Sequence, residues 1–454
     1  MFHKMLLLTD INQQILLKCI NLCIILLKII KIKYIPSVET CYKFPYNEQK
    51  KKAKLLYRFP SKGRKGVIMK SKQQSFVLRG IVLIVGLLLL GGVIYYANQN
   101  RLTSEVNPNE HVEYETGRIV AILEDNTYFD EQHSGVRLGN MVYQVEMLGG
   151  FYEGELMEAI YFFTNMGSVL FDVGDRVSVR INTLDGEIHS VDINSMERTE
   201  ILVGLVIVFL LVLAVIGGKR GIMSVAGLVF TMICIIYLLI PLMLKGYPVI
   251  LTTIVILSLV TIVVLVLLGG VTPKTIAAIL GCMIGVISAA IIAGFVGSLA
   301  SISGFNMEDV GSLMFAAERN GFELQPSGLF ISGVLIASLG AVMDTAMSIT
   351  SALEEIKENN PDISDKQLFK SGMNVGRDIM GTMSNTLILA FTGTALNMMM
   401  FMYADNTPFN QLINNDFIAV ELIRSIAGSL GIVLTVPAVA FIGSKLFITK
   451  STSQ

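Results

Sequence analysis

The chain has 454 residues, 53% of them apolar and only 16% charged, with a mean hydropathy of +0.63. Water-soluble domains carry about 25% charged residues, so a wholly soluble chain is excluded and much of it must be solvated by lipid. The net charge of −1 hides a split: residues 1–68 hold 14 Lys and Arg against Asp10, Glu39 and Glu48, while the remainder is acidic.

Residues 1–68 read as a basic extension, either a disordered cytoplasmic tail or the product of an early start site. Their one apolar run, Ile20 to Ile30, is interrupted by Asn21 and Lys28 and is too short to span. At Met69 a short basic start leads into an apolar run, the usual beginning of a membrane protein. Three of the five cysteines, Cys19, Cys23 and Cys41, lie in the extension, whereas Cys234 and Cys282 fall inside apolar runs. No disulfide framework is therefore expected.

Eight spans follow from apolar length: 76–97, 200–218, 221–243, 248–270, 274–298, 327–350, 379–403 and 418–444. Short loops on one side collect Lys70, Lys72, Lys219, Arg220, Lys274, Lys357, Lys366, Lys370, Arg377, Lys445 and Lys450, against Lys245 and Arg319 on the other. The positive-inside rule then places both termini, including the tail 448–454, in the cytoplasm.

Residues 98–199 fall outside, and acids far outnumber their six arginines. Strand patterns occur at Gly117–Leu123, Met141–Leu148, Arg176–Asn182 and Ile188–Ile193. Asp185-Gly186 gives a two-residue hairpin signal between the last two. About a hundred residues with some five short strands predict a small β-barrel-like domain of the OB or SH3 kind. No calcium-loop motif accompanies the acidity, and the plain reading is a solvated surface.

The helical block, 200–447, carries charged residues where lipid penalises them by at least about 2.5 kcal/mol. In the sixth span Gly333, Ala337, Ala341, Asp344, Ser348 and Ser351 share one small, polar face, with Asp344 the ionisable residue set deepest in a span. The seventh opens with Asn374, Arg377 and Asp378 and continues on one side through Gly381, Asn385 and Thr392. Sixth and seventh spans run in opposite directions, so Asp344, Arg377 and Asp378 belong to the same half of the bilayer. Two readings stay open: an ion or substrate site at Asp344, or a buried Asp344–Arg377 pair that locks two helices. Arg377 and Asp378 also suit a snorkelling boundary. In the eighth span Glu421 and Arg424 form an i,i+3 pair near the opposite surface, either part of a polar path or a plain interfacial ion pair.

The fifth span repeats a small residue at every fourth position: Ala277, Gly281, Gly285, Ala289, Ala293 and Gly297. This ladder predicts close helix packing. Between the fifth and sixth spans, 301–326 is amphipathic, with Met307, Val310, Met314 and Ala317 on one stripe, fitting a surface-lying or a re-entrant segment.

Two segments carry a resemblance: 338–356, SLGAVMDTAMSITSALEEI, and 371–394, SGMNVGRDIMGTMSNTLILAFTGT. With the order of an amino-terminal span, an outside β-rich segment ending near GDRV and a helical block, they resemble the YibE/F family over roughly 69–447. The extension 1–68 departs from that pattern. The resemblance implies a bacterial cytoplasmic membrane protein and little function, since members are described mostly as predicted permeases or without an assigned role.

Transport of a small solute or ion is thus the expected function, and a non-transporting envelope or signalling factor, whose outside domain binds a partner, is the alternative. No phosphate-binding loop is present, so transport would be gradient-driven or depend on a second membrane subunit. An intramembrane aspartyl protease would match only through Gly376-Arg377-Asp378, and the chain is not read as an enzyme. His3, His111, His133 and His189 lie outside spans and away from ligand spacing, so no metal, cofactor or nucleic-acid partner is expected.

Overall fold

The computed structural model describes residues 91–99, 110–130, 136–164, 169–305, 307, 310–319 and 324–451. The extension 1–68 and most of the first expected span lie outside these residues. The described chain divides into two units, Leu102–Val225 and a helical unit of Met1–Arg101 with Ala226–Gln454.

The first unit holds a five-stranded sheet: β1 Glu110–Asp130, β2 Val136–Met147, β3 Leu156–Phe163, β4 Arg176–Leu184 and β5 Glu187–Met196. The strand order is β1-β2-β3-β5-β4, and β4 returns to β1. The length of β1 makes this possible. Its first half pairs with β4 (Glu110 with Leu184, Arg118 with Arg176) and its second half with β2. Between β3 and β5 a single parallel pair is registered, Ile160 with Asp192. Two irregularities in β1, between Ile119 and Ala121 and between Ile122 and Glu124, mark where it leaves one partner's register and bends.

Strict alternation explains the core of this unit. Val177, Val179 and Ile181 of β4 and Met141, Tyr143 and Val145 of β2 point inward and are buried. Phe171 closes the interior edge-on against Tyr143 and Tyr161. Asp185 and Gly186 both have positive φ, 53° and 85°, as the Asp-Gly hairpin requires. Across that hairpin Arg180 donates to Asp192 at 2.9 Å, a bond that holds the guanidinium above its ordinary range. In β3 burial alternates too, with Met157, Ala159 and Phe163 inward, although the apolar run Ile160–Phe163 hides the pattern in the sequence.

The helices are α1 Thr199–Cys234, a π turn Ile235–Leu239, α2 Ile240–Leu244, α3 Val249–Gly269, α4 Pro273–Leu299 and α5 Val310–Arg319. They continue with α6 Pro326–Asn359, α7 Asp365–Thr394, α8 Leu396–Ala404, α9 Phe409–Asn414 and α10 Asp416–Ser451. Among the described residues five helical stretches are long and apolar enough to cross a membrane, or six if the bent pair α7–α8, angled by 57°, counts as one span. The first stretch, Thr199–Leu244, joins two of the expected spans. Within it Gly218 leaves helical geometry at φ 55°, ψ −134°, and a Cβ on Gly221 would lie 3.3 Å from Ala214 Cα. The chain therefore turns back on itself at Gly218, where only glycine adopts that geometry readily.

In the helical unit α4, α6 and α10 pack against one another, with α7 covering α10 and α6 and with α3 on α4 and α6. The small-residue ladder of α4 is the seam. Ala277, Ala289 and Ala293 are fully buried. A Cβ on Gly281 would run into Val439, and one on Gly285 into the Thr435 hydroxyl, with Val342 Cγ1 at 3.1 Å. Absence of side chains thus sets the α4–α10 distance. Local signals fix the ends: Thr272 caps α4 ahead of Pro273, and Ser364 with Gln367 forms a capping box on α7. Between α3 and α6 the buried hydroxyls of Thr253 and Ser332 bond at 2.7 Å.

Candidate functional site

The helix α3, one full span, gives a ruler for depth. Val249 at its start lies 3.0 Å from where a Cβ on Gly328 would sit, and Met347 Cε lies 3.4 Å from the corresponding point on Gly269 at its end. From Gly328 to Met347 the rise of α6 is about 28 Å at 1.5 Å per residue, close to the ~30 Å of a hydrocarbon core. Asp344 is one turn short of Met347, so it sits near one end of the span and not at its centre. Beyond that end α6 continues to Asn359, past the end of α3 at Gly269.

Two polar centres follow, at opposite ends. At the first, Gly376 of α7 packs beside Ile349 and Val436, which brings Arg377 and Asp378 to the same end as Asp344. All three are exposed, as are Ser348 and Asn385. Arg377 donates to Asn374 at 3.4 Å, and among the described residues Asp344 has neither hydrogen bond nor ion pair. The buried Asp344–Arg377 lock is therefore not formed. The inward side of α6 is taken by Leu335, Leu339, Val342 and Ile349, which leaves the polar stripe open.

The second centre lies in a half-open pocket. Glu421 is 8% exposed, and its carboxylate accepts from Arg424 Nη1 at 2.5 Å. Arg424 lies against the Cα side of Gly333, where a Cβ would come within 3.5 Å of Nη2. The guanidinium carbon stands 5.9 Å from the centre of the Phe391 ring, and Nη2 is 3.5 Å from Met307 Sδ. Nε is buried with no hydrogen-bond partner. The pair walls a cavity of about 440 Å³ that also touches Thr394 at the end of α7, Phe417 and Val420 on α10, Leu329 on α6 and Val310 on α5. Near the lipid boundary an exposed Glu–Arg pair contributes little. Here the two charges are withdrawn into apolar surroundings, where each needs the other.

Of the expected residues, then, Glu421 and Arg424 meet in a cavity, while Asp344, Ser348, Arg377, Asp378 and Asn385 stand on open faces. Gly281, Gly285, Ala289, Ala293 and Gly297 are buried packing positions. Nothing in the sequence pattern points to Phe391, Thr394 or Leu329, which share no face or segment with Glu421. Met307 and Val310 were visible only as part of an amphipathic stripe. That stripe does turn inward, since Val310 and Ala317 are buried, while Asp309 and Glu323 lie outside the described residues. Among the described residues no His, Cys, Asp and Glu cluster fit for a metal occurs.

Long apolar helices around a small-residue seam, with a charged cavity among them, define a multi-pass α-helical membrane protein. The family model of the YibE/F-like protein matches residues 205–449, more than half of the sequence, and the chain belongs to that family. The match covers the helical block and leaves the sheet outside it. No curated protein and no solved structure matches the chain.

Proposed function

We propose that this protein is a permease for a small solute, with the cavity at Glu421 and Arg424 as its solute site. The observation that carries the reading is the ion pair of buried Glu421 with half-buried Arg424, lining a space of about 440 Å³ among packed helices. Burying two charges costs several kcal/mol each before they attract one another, and a purely structural pair would be enclosed by side chains, not by a cavity. Small residues on α4, α6 and α10 bring the helix backbones close together beside this site. In this reading the chain crosses the cytoplasmic membrane eight times, with Thr199–Leu244 divided at Gly218 and 76–97 as the first span. The loop charge bias supports cytoplasmic termini and a sheet domain outside. The long shared β1 and the single parallel β3–β5 contact favour an OB-like over an SH3-like closure.

The test is efflux from liposomes loaded with a defined mixture of amino acids, organic acids, amines and sugars, followed by mass spectrometry. Protein-containing liposomes should lose one chemical class, and liposomes with the Glu421→Gln, Arg424→Gln double variant should retain it. Equal retention of every solute with and without protein would end the permease reading.

One observation favours a partner-binding role for the sheet domain in addition. A groove of about 570 Å³ runs past Tyr114, Glu115, Arg118, Gly150 and Arg176. In it Glu115 accepts from the Phe151 amide at 2.8 Å with one oxygen, while the other is buried without a partner.

A further inference from the structure

The arrangement of charges in the helical cavity narrows the solute. Arg424 commits Nη1 to Glu421. Its other edge, Nε with Nη2, is the side of a guanidinium that grips a carboxylate through two parallel bonds. In this protein that edge lies against Gly333, its one polar contact is the Met307 sulfur, 3.5 Å from Nη2, and Nε is buried without a hydrogen bond. A thioether is a weak acceptor, so the best hydrogen-bonding edge of the site is held by a placeholder. Glu421 fronts the same cavity with an acceptor-only group. Apart from the polar Thr394, the remaining wall is apolar and aromatic, with Leu329, Val420, Phe391 and Phe417.

The pair is neutral as a whole. A solute with one net charge would leave that charge uncompensated in a low-dielectric setting, at a cost that grows steeply with burial. A solute bearing one positive and one negative group leaves none.

We infer that the cavity takes a small zwitterion with an apolar skeleton, of the α-amino acid kind. Its carboxylate docks on Nε and Nη2 of Arg424 in place of the Met307 sulfur. Its ammonium docks on Glu421, and its skeleton lies against Phe417, Val420 and Leu329. A volume of about 440 Å³ is within the ~300–1,000 Å³ of ordinary small-molecule sites. The assignment rests on the permease reading for its biological sense, but binding is measurable without transport.

The full chain in lipid nanodiscs is titrated with leucine, with 4-methylpentanoate (the same skeleton without the ammonium) and with 3-methylbutylamine (without the carboxylate). Binding is followed by calorimetry and by the shift of the thermal unfolding midpoint. Leucine should bind and raise the midpoint, and each singly charged analogue should bind at least tenfold more weakly. Arg424→Lys keeps the charge and the pair with Glu421 but removes the two-bond edge. It should weaken leucine at least tenfold while the ligand-free midpoint stays near that of the parent. Analogues that bind as well as leucine, or no binding by any of the three, overturn the zwitterion assignment. Leucine binding that Arg424→Lys leaves unchanged overturns the site. Selective binding with no efflux of any solute sinks the permease reading and leaves this one standing.

Discussion

Replacing Gly285 with alanine adds one methyl at the tightest point of the α4–α10 seam. That methyl would meet the Thr435 hydroxyl, the Gly431 carbonyl oxygen at 3.0 Å and Val342 Cγ1 at 3.1 Å, two of them backbone or branched groups that cannot swing away. Overpacking of this kind costs about 1–3 kcal/mol, offset by the ~1 kcal/mol that alanine gains over glycine inside a helix. Gly294→Ala on the same helix makes the same gain but meets only the flexible end of Ile331 at 3.4 Å. The two variants should therefore differ by about 1–3 kcal/mol, Gly294→Ala being the more stable. Unfolding in mixed detergent micelles, with the fraction folded followed by circular dichroism, measures the gap. Thr435→Ala removes the closest atom, and its hydroxyl bonds only to Gly431 O within its own helix. Combined with Gly285→Ala it should recover part of the loss, a coupling of about 1 kcal/mol between residues in contact. Equal stability of Gly285→Ala and Gly294→Ala would refute the claim that the ladder sets helix spacing.

Two further outcomes follow from the charges. Removing one member of the Glu421–Arg424 pair should cost about 3–5 kcal/mol, and the Glu421→Gln, Arg424→Gln double variant should recover most of it. Asp344→Asn and Arg377→Gln should add within ~0.5 kcal/mol, because Arg377 bonds Asn374 and not Asp344; strong coupling there would show that the two do meet. For topology, single cysteines at Asn126 and Asn359, both exposed, should separate under an impermeant thiol reagent on intact cells. Asn126→Cys should label and Asn359→Cys should not, and the reverse would invert the orientation.

Much of the helical architecture was legible because lipid leaves few options. Apolar length locates α3, α4 and α6, and the four-residue ladder identifies the buried face of α4 before any partner is known. The Asp185-Gly186 hairpin was equally local, since both residues tolerate positive φ. What periodicity cannot reveal is what covers a face. Asp344 and Ser348 share a polar stripe, as the spacing says, but no described helix lies over it. Glu421 and Arg424 looked like a surface pair because their neighbours on the chain are boundary residues. Their enclosure comes from Phe391 on α7 and Met307 ahead of α5, segments about 30 and 117 residues away in sequence. Apolar length predicts only a loop between 200–218 and 221–243, and the backbone geometry of Gly218 shows how sharply the chain bends there.

The claim that solute passes through the Glu421–Arg424 cavity is tested most directly by blocking it. In a chain lacking Cys19, Cys23 and Cys41, and keeping the buried Cys234 and Cys282, a new cysteine replaces Thr394 in the cavity wall, or Phe401, which is 67% exposed on α8 and outside the cavity. Each protein is reconstituted, treated with a bulky maleimide and assayed for efflux from loaded liposomes. Modified Thr394→Cys should lose efflux and be protected from modification by the transported solute, while modified Phe401→Cys should keep it. Full efflux from fully modified Thr394→Cys would contradict the account.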